Sequence, residues 1–158
     1  MTGSVGDIMT RKVVSASPGD TVATVARLLA DNRISALPVC DADGRLLGIV
    51  SEGDLMRPFS EINNLRREWW LDRLAEGGDL DAKFLNYIRT DLYPVQDLMT
   101  TAVHSVSEDT PLAEAADLML RHHVKRLPVL CGVKVIGIVS RADLVRTFLD
   151  PGLTTDPG

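Results

Sequence analysis

The sequence has little of what characterises several large classes of protein. Its 158 residues include only two Trp, two Tyr, three Phe and two Cys. Positive charge is not in excess, because 17 Lys and Arg residues stand against 22 Asp and Glu residues, for a net charge of −5 at pH 7. Proteins that contact nucleic acid broadly carry a basic stripe. We therefore expect no nucleic-acid partner.

Long apolar runs are also missing from the sequence. No stretch reaches the length of a membrane span, and 1–4 lack the basic region leading into an apolar segment that marks a signal peptide. We expect a cytoplasmic protein with no membrane partner. In a reducing compartment, Cys40 and Cys131 are expected to be small core residues rather than a disulfide or a metal-binding pair.

What the chain does contain is an internal duplication. The stretch 48–54, GIVSEGD, recurs at 137–143 as GIVSRAD, and the lead-in 5–10 recurs at 95–100. A repeat on this scale determines the architecture. Because each repeat alone is short enough to be marginally stable, we expect the two to share a core. The predicted segments are repeat one at 1–58, a helical insert at 59–93, repeat two at 94–149 and a flexible tail at 150–158.

Each repeat is predicted to form strand, helix, strand, strand and helix, an α/β (α+β) fold. In repeat one, 13–14 indicate a brief strand, and Asp20 or Thr21 is placed to cap the following helix. In repeat two, Thr110 is the expected cap and Pro111 the first helical residue. The apolar residues at helical spacing are Val22, Val25, Ala26 and Leu29 in repeat one and Leu112, Ala115, Ala116 and Met119 in repeat two.

A hairpin is predicted after each of these helices. Its strands lie at 34–40 and 46–50 in repeat one and at 127–130 and 133–139 in repeat two. Each hairpin ends at a Ser-x-x-Asp motif, in which the Ser hydroxyl bonds a backbone N–H and the carboxylate reaches back to the Ser. The motif therefore predicts the start of a further helix.

The insert has no counterpart elsewhere in the chain. Ile62, Leu65 and Trp69 have helical spacing, and the pair at 77–78 is Gly-Gly, so two helices with a break between them are predicted. Aromatic residues of this kind anchor interfaces. Two interpretations stay open: a contact surface for a protein target, or a cover over the repeats' own core. The aromatic residues of the insert are Phe59, Trp69, Trp70, Phe84, Tyr87 and Tyr93.

The motifs together resemble a known family. The segment 34–39, ISALPV, followed by 48–54, with counterparts at 124–129 and 137–143, is similar to the cystathionine-β-synthase (CBS) domain. The tandem arrangement resembles a CBS pair, or Bateman module, of the stand-alone bacterial type. The resemblance does not extend to the insert.

The resemblance implies regulation by adenosine-containing ligands: AMP, ADP, ATP, S-adenosylmethionine or NAD. It implies no required cofactor, and two clefts that each combine residues from both repeats. In this sequence, cleft A would consist of Ile49, Ser51, Asp54, His104, Val124, Lys125 and Arg126. Cleft B would consist of Val14, Ile34, Ser35, Ile138, Ser140 and Asp143.

The chemistry of these residue types fits such ligands. A carboxylate can accept hydrogen bonds from both hydroxyls of a ribose, and a Ser at a helix N-terminus suits a phosphate. Lys125 and Arg126 make cleft A the better candidate for a phosphorylated nucleotide, since Arg binds phosphate in a bidentate manner. The alternative is that these two residues are solvated or paired with acidic side chains.

Catalysis is not expected from this sequence. His122 and His123 are adjacent and would point in different directions on a helix, and His104 stands alone. No Gly-rich phosphate loop or nucleophile elbow is present in the sequence. Two functions stay open: a sensor that binds adenine nucleotides as a homodimer, or a ligand-free interaction module that uses the insert.

Overall fold

The computed structural model describes residues 3–57 and 94–149. The predicted insert at 59–93 and the predicted tail at 150–158 lie outside the described residues. The elements in chain order are α1 (Val5–Ile8), α2 (Val22–Asn32), β1 (Ala36–Cys40), β2 (Leu46–Ser51), α3 (helical at 52–57), the 3₁₀-helix η1 (Val95–Asp97), α4 (Leu112–Arg121), β3 (Arg126–Cys131), β4 (Lys134–Ser140) and α5 (Arg141–Arg146).

The predicted mixture of helices and strands is confirmed, and so are both hairpins. Strand β1 pairs with β2 in one two-stranded sheet, and β3 pairs with β4 in another. In the second hairpin Leu127 lies opposite Val139, and the register shifts after Val129. The turn there lies one residue later than predicted, because Cys131 still pairs with Lys134. None of the helices in the described ranges is long and apolar enough to cross a membrane.

The described chain divides into two compact units. Each unit consists of separate stretches of sequence, so the units are not the same division as the predicted repeats. Unit 1 comprises 3–13, 40–46 and 102–149, and unit 2 comprises 14–39, 47–57 and 94–101.

The core of unit 2 is built around one face of α2. Thr21 caps this helix, since its hydroxyl accepts a hydrogen bond from the Thr24 N–H at 3.2 Å. The predicted apolar stripe of α2 is buried against β1 and β2, apart from the partly buried Ala26. Two core residues, Val95 and Leu98, come from the lead-in of the second repeat. The buried cluster is Ala16, Val22, Val25, Leu29, Leu37, Val39, Val50, Leu55, Val95 and Leu98.

The core of unit 1 has the same arrangement, but its helix and hairpin come from the second repeat and its lead-in from the first. Here the stripe of α4 packs against β3 and β4, and Val5 and Met9 come from the lead-in of the first repeat. The buried cluster is Val5, Met9, Val106, Leu112, Ala115, Met119, Leu127, Val129, Val139 and Leu144. We expected one core shared by both repeats. The described residues instead form two clusters, and each cluster contains residues from both repeats.

The two lead-ins are held by matching hydrogen bonds. The Val5 N–H donates to the Thr110 carbonyl at 2.9 Å, and the Val95 N–H donates to the Asp20 carbonyl at 2.8 Å. Each lead-in then ends with a short antiparallel pairing, at 10 with 138 in unit 1 and at 100 with 49 in unit 2. The two repeats therefore exchange their first segments, which local sequence patterns do not reveal.

The exchange explains why a glycine stands at the start of both copies of the motif, at Gly48 and Gly137. A Cβ atom on Gly48 would lie 2.7 Å from Sδ of Met99, and one on Gly137 would lie 2.6 Å from Sδ of Met9. Neither distance is compatible with van der Waals contact. The missing side chain at each glycine therefore gives a lead-in methionine room to lie across the strand.

The prediction of a brief strand at 13–14 is wrong, because these residues form no strand. The only pairing described near it is a single parallel bridge of Ala16 with Val39, where the Ala16 N–H donates to the Pro38 carbonyl at 3.0 Å. A parallel ladder that extended back from Ala16 would need the N–H of residue 38 to reach the Val14 carbonyl, and Pro38 has no N–H. The pairing therefore does not continue to 13–14.

The predicted cap of the second repeat's helix is shifted by one residue. Pro111, not Thr110, is the N-cap of α4, and the helix begins at Leu112. The Thr110 hydroxyl is used elsewhere, because it accepts a hydrogen bond from the Ser107 N–H at 3.0 Å. A turn before the helix therefore takes the side chain that was expected to cap it.

The two cysteines differ in their surroundings. Cys40 is buried, as expected, but Cys131 is exposed at the end of β3, so its assignment to a core was wrong. Burial raises the pKa of the Cys40 thiol, and the neighbouring Asp41 carboxylate raises it further. Cys131 lies beside the hairpin turn at 132–133.

Candidate functional site

The first Ser-x-x-Asp motif forms a reciprocal cap between β2 and α3. The Ser51 N–H donates to Oδ2 of Asp54 at 2.9 Å, and the Asp54 N–H donates to the Ser51 hydroxyl at 3.2 Å. Asp54 is only 6% exposed, and its other oxygen, Oδ1, accepts a hydrogen bond from the Arg57 guanidinium. The predicted capping box is confirmed, and the carboxylate within it is nearly buried.

The second motif has the same geometry between β4 and α5. The Ser140 N–H donates to Oδ2 of Asp143 at 2.9 Å, and the Asp143 N–H donates to the Ser140 hydroxyl at 3.1 Å. Oδ1 of Asp143 lies 3.5 Å from an Arg146 guanidinium nitrogen. The cap predicted for the second repeat is therefore confirmed too, with a longer Asp–Arg contact.

The hydrogen bond from a Ser N–H to the carboxylate of an Asp three residues later is not unique to the two motifs. The Ser4 N–H donates to Asp7, and the Ser17 N–H donates to Asp20, both at 2.9 Å. These two carboxylates are more exposed than that of Asp54. This hydrogen bond alone therefore does not indicate a binding site; burial distinguishes Asp54 from Asp7 and Asp20.

The start of each motif helix is tied to the segment that precedes the first hairpin strand. The Glu52 N–H donates to the Ser35 carbonyl at 2.9 Å in unit 2, and the Arg141 N–H donates to the Lys125 carbonyl at 2.8 Å in unit 1. This places the backbone of Ser35 beside the Ser51 cap and the backbone of Lys125 beside the Ser140 cap. Both contacts are backbone hydrogen bonds at matching positions of the two repeats.

Arg141 has a role that the sequence reasoning missed. Its guanidinium donates to the Val124 carbonyl at 3.1 Å and to the Met119 carbonyl at 3.4 Å. It thereby satisfies carbonyls near the end of α4 and holds the connection to β3. The one available signal was that Arg141 replaces Glu52 at the matching position of the motif.

A second missed feature is a contact between two histidine rings in unit 1. The rings of His104 and His122 are stacked, with their centroids 3.6 Å apart and their planes 15° from parallel. The chain turns after His122 because His123 adopts a left-handed conformation, with φ at 55°. Both stacked residues are exposed. The sequence did not indicate this contact, since the two histidines are 18 positions apart along the chain.

The other predicted site residues fall into two groups. Val14 and Ile34 are partly buried against the core of unit 2, and Val124 is partly buried against the core of unit 1. Lys125 is exposed, and Arg126 begins β3 with its side chain partly buried. Each predicted cleft draws residues from both units, so cleft A and cleft B stay predictions from the sequence.

The hairpin strands place the remaining two residues beside the lead-ins. Ile49 exchanges backbone hydrogen bonds of 2.9 and 2.8 Å with Thr100, and Ile138 exchanges bonds of 3.0 and 2.8 Å with Thr10. Strand β2 is therefore hydrogen-bonded to the second lead-in, and strand β4 is hydrogen-bonded to the first lead-in. Across 3–57 and 94–149, no cluster of three or more His, Cys, Asp or Glu side chains could hold a metal ion.

These observations agree with the comparison to protein families. The family model described as CBS domain matches residues 5–61 and 95–150, which cover both copies of the motif. The chain belongs to the CBS domain family. The two matched segments make it a tandem CBS pair, as predicted from the duplicated motif.

Relatives of this CBS pair include proteins with bound adenosine derivatives. The chloroplastic CBS domain-containing protein CBSX1 of Arabidopsis thaliana is 35% identical over 92% of this chain, which spans 64% of that protein. A crystal structure of CBSX2 in complex with AMP superposes with a TM-score of 0.71 at 30% identity, covering 95% of this chain and 98% of that chain. CBS-pair relatives therefore bind an adenine nucleotide.

A more distant structure shares the fold. The CBS domain pair of protein MJ0100, in complex with 5′-methylthioadenosine and S-adenosyl-L-methionine, superposes with a TM-score of 0.69 at 22% identity. The match covers 96% of this chain and 99% of that chain. At this identity the comparison establishes the common fold of the CBS pair.

Proposed function

We propose that this CBS pair is a regulatory module that binds an adenosine-containing ligand through its two Ser-x-x-Asp motifs. The observation that carries the proposal is the cap at Ser51 and Asp54, where a nearly buried carboxylate lies beside helix-terminal groups. Such a carboxylate accepts hydrogen bonds from a ribose diol, as acidic residues do in dinucleotide folds. The AMP complex of a relative that is 30% identical supports this choice of ligand class.

The second motif supports the same role by its symmetry. Ser140 and Asp143 reproduce the first cap to within 0.1 Å in both hydrogen bonds, since 2.9 and 3.1 Å compare with 2.9 and 3.2 Å. We propose that the ligand contacts are completed by the other residues predicted for clefts A and B. Binding, rather than catalysis, is the proposed activity, and no cofactor is required for it.

Regulation requires that ligand binding favour one of two states of an assembly. We propose a homodimer as that assembly. Three apolar side chains at the end of unit 1, Val145, Phe148 and Leu149, support it because they are exposed to solvent; for Phe148 the exposed fraction is 72%. Exposed apolar surface of this kind marks contact sites between proteins. Sedimentation of the purified chain with and without ligand measures whether the assembly changes.

Calorimetric titration tests the binding proposal. Purified protein is titrated with AMP, ADP, ATP, S-adenosylmethionine and NAD, and the titration is repeated on Asp54→Ala and Asp143→Ala. Asp20→Ala is the matched control, because it removes a Ser N–H to Asp carboxylate hydrogen bond of the same length outside the two motifs. We expect saturable binding of at least one ligand that is lost or weakened about tenfold or more by a motif variant, the loss expected when a charge-assisted hydrogen bond is removed.

Two results would contradict the proposal. If a ligand binds the Asp54→Ala and Asp143→Ala variants as tightly as the wild type while both stay folded, the motifs do not hold the ribose. If no ligand binds to folded wild-type protein, the interaction-module function replaces the sensor function. The search then moves to protein targets of the insert at 59–93.

A further inference from the structure

Each motif carboxylate has an arginine partner three residues later. Arg57 donates to Oδ1 of Asp54, and Arg146 lies 3.5 Å from Oδ1 of Asp143. The two arginines occupy matching positions of the duplicated motif. Neither was among the predicted site residues, so this pairing is a property that the structure adds.

The two oxygens of Asp54 are held in different ways. Oδ2 accepts a hydrogen bond from the Ser51 N–H, which belongs to the backbone at the end of β2 and cannot move without breaking the cap. Oδ1 is held by the Arg57 side chain, 53% of which is exposed, whereas only 8% of the Asp54 side chain is exposed. A flexible, solvated guanidinium can leave the carboxylate, but the Ser51 N–H cannot.

This arrangement makes Arg57 a competitor of any hydroxyl that approaches Asp54. Each carboxylate oxygen can accept a second hydrogen bond. A ribose hydroxyl that takes the position of the guanidinium on Oδ1 displaces it. The displaced Arg57 guanidinium then loses its anionic partner. Close to the protein surface, a second anion would stabilise it. A phosphate group on the same ligand supplies that partner, since guanidinium and phosphate match in geometry and charge.

We propose that Arg57 is a specificity-determining residue that makes the Asp54 site selective for phosphorylated nucleosides. This inference rests on the proposed function. An uncharged nucleoside displaces Arg57 without replacing its ionic partner, and a ligand with a sulfonium cation additionally repels the released guanidinium. AMP, ADP or ATP instead provides the released guanidinium of Arg57 with a phosphate anion. The ligand class of this site is therefore a nucleoside phosphate rather than adenosine or S-adenosylmethionine.

The Asp143 site is expected to discriminate less. Its arginine, Arg146, lies 3.5 Å from the carboxylate and its own side chain is 71% exposed, so the ion pair is weaker and more screened. The Asp143 side chain is also slightly more exposed than that of Asp54, at 11% against 8%. A ligand there displaces less interaction, and a missing phosphate matters less.

The test compares ligands at the Asp54 site alone. An Asp143→Ala background removes the second motif, and AMP, adenosine and S-adenosylmethionine are titrated by calorimetry. Arg57→Met is then added in that background, and Arg27→Met is the matched control, because Arg27 is an exposed arginine on α2. We expect adenosine to bind more tightly and AMP more weakly to the Arg57→Met protein, so that the preference for AMP falls about tenfold, the typical effect of one charge-assisted contact.

The outcomes separate this inference from the proposed function. If AMP binding requires Asp54 but Arg57→Met leaves the ratio of AMP to adenosine affinity unchanged, the role of Arg57 is refuted and the proposed function stands. Equal tightening of all three ligands would also refute it, because Arg57 would then compete without selecting. If the wild-type protein binds none of the ligands, both proposals fall.

The same experiment includes a check that each variant is folded. Asp54 is nearly buried, so loss of its ion-pair partner can destabilise the protein, and thermal unfolding of each variant is measured. Arg57→Gln is the second variant, because it keeps a hydrogen-bond donor and removes the charge. A folded Arg57→Gln protein that has lost the preference for AMP supports the proposal, and one that keeps the wild-type preference refutes it.

Discussion

Replacing either motif glycine by alanine should destabilise the protein, and by different amounts. A Cβ atom on Gly48 would lie 2.7 Å from Sδ of Met99 and 2.8 Å from the carbonyl oxygen of Thr100. The sulfur can move with its flexible side chain, but the carbonyl belongs to the backbone pairing of Thr100 with Ile49. Gly48→Ala therefore has to separate a backbone contact, and we expect a loss of about 3 kcal/mol in the free energy of unfolding.

The same change at Gly137 should cost less. A Cβ atom there would lie 2.6 Å from Sδ of Met9 but 3.1 Å from the Thr10 carbonyl oxygen. Rotation of the methionine relieves most of that overlap, and the backbone has to move by only a few tenths of an ångström. We expect Gly137→Ala to lower the free energy of unfolding by about 1 kcal/mol. Urea unfolding followed by far-ultraviolet circular dichroism measures both values.

A glycine outside the motif provides the control. No atom lies within 4 Å of the position that a Cβ on Gly19 would occupy. Gly19→Ala should therefore leave the stability within about 0.5 kcal/mol of the wild type, or raise it slightly through the unfolded state. If Gly48→Ala is no less stable than Gly19→Ala, the close approach of the lead-in to β2 is wrong.

A double-mutant cycle tests the cause of the loss. Met9→Ala removes the side chain that a Cβ on Gly137 meets, so the combination with Gly137→Ala should cost less than the sum of the two single changes. We expect a coupling energy of about 1 kcal/mol. Additive effects would show that Met9 is not what excludes a side chain at Gly137.

Two further predictions concern the exchanged lead-ins and the cysteines. Val5→Ala and Val95→Ala each remove methyl groups from a fully buried position in a short lead-in helix, α1 or η1. Each change should lower the free energy of unfolding, measured by urea unfolding, by about 2 kcal/mol. A loss below about 0.5 kcal/mol for either would contradict the packing of that lead-in. Cys131 should react with a thiol reagent in the native protein at neutral pH while Cys40 reacts slowly, because burial raises the pKa of the Cys40 thiol and leaves little thiolate; raising the pH should speed the reaction of Cys40, and equal rates at neutral pH would contradict the structure.

Much of each repeat could be predicted from the sequence because its determinants are local. The stripe of α2, the hairpins and both Ser-x-x-Asp caps depend on residues a few positions apart, and the duplication supplied every pattern twice. Where two local possibilities competed, the sequence was less decisive. Thr110 could cap either α4 or the turn before it, and the hydroxyl bonds the Ser107 N–H of the turn.

The missed features depend on residues that are distant in sequence. The stacking of His104 on His122, the bonds from Arg141 to Met119 and Val124, and the insertion of Val5 into a core of repeat-two residues have no local periodicity. The Asp54–Arg57 pair is local, but its consequence depends on the burial of Asp54, which composition does not give. The unlike surroundings of Cys40 and Cys131 have the same origin, since equivalent positions in the two repeats differ in what covers them.

The exchanged lead-ins also constrain how the protein is made. The first repeat leaves the ribosome before the segment at 95–100 does, so the cluster around α2 lacks Val95 and Leu98 when its hairpin is already available. The lead-in at 5–10, although synthesised first, has to wait for α4 and β4 before it can be buried. Such long-range contacts delay folding. The cluster around α2 can therefore close once the segment at 95–100 has emerged, whereas the cluster around α4 closes only after β4 and α5 have emerged.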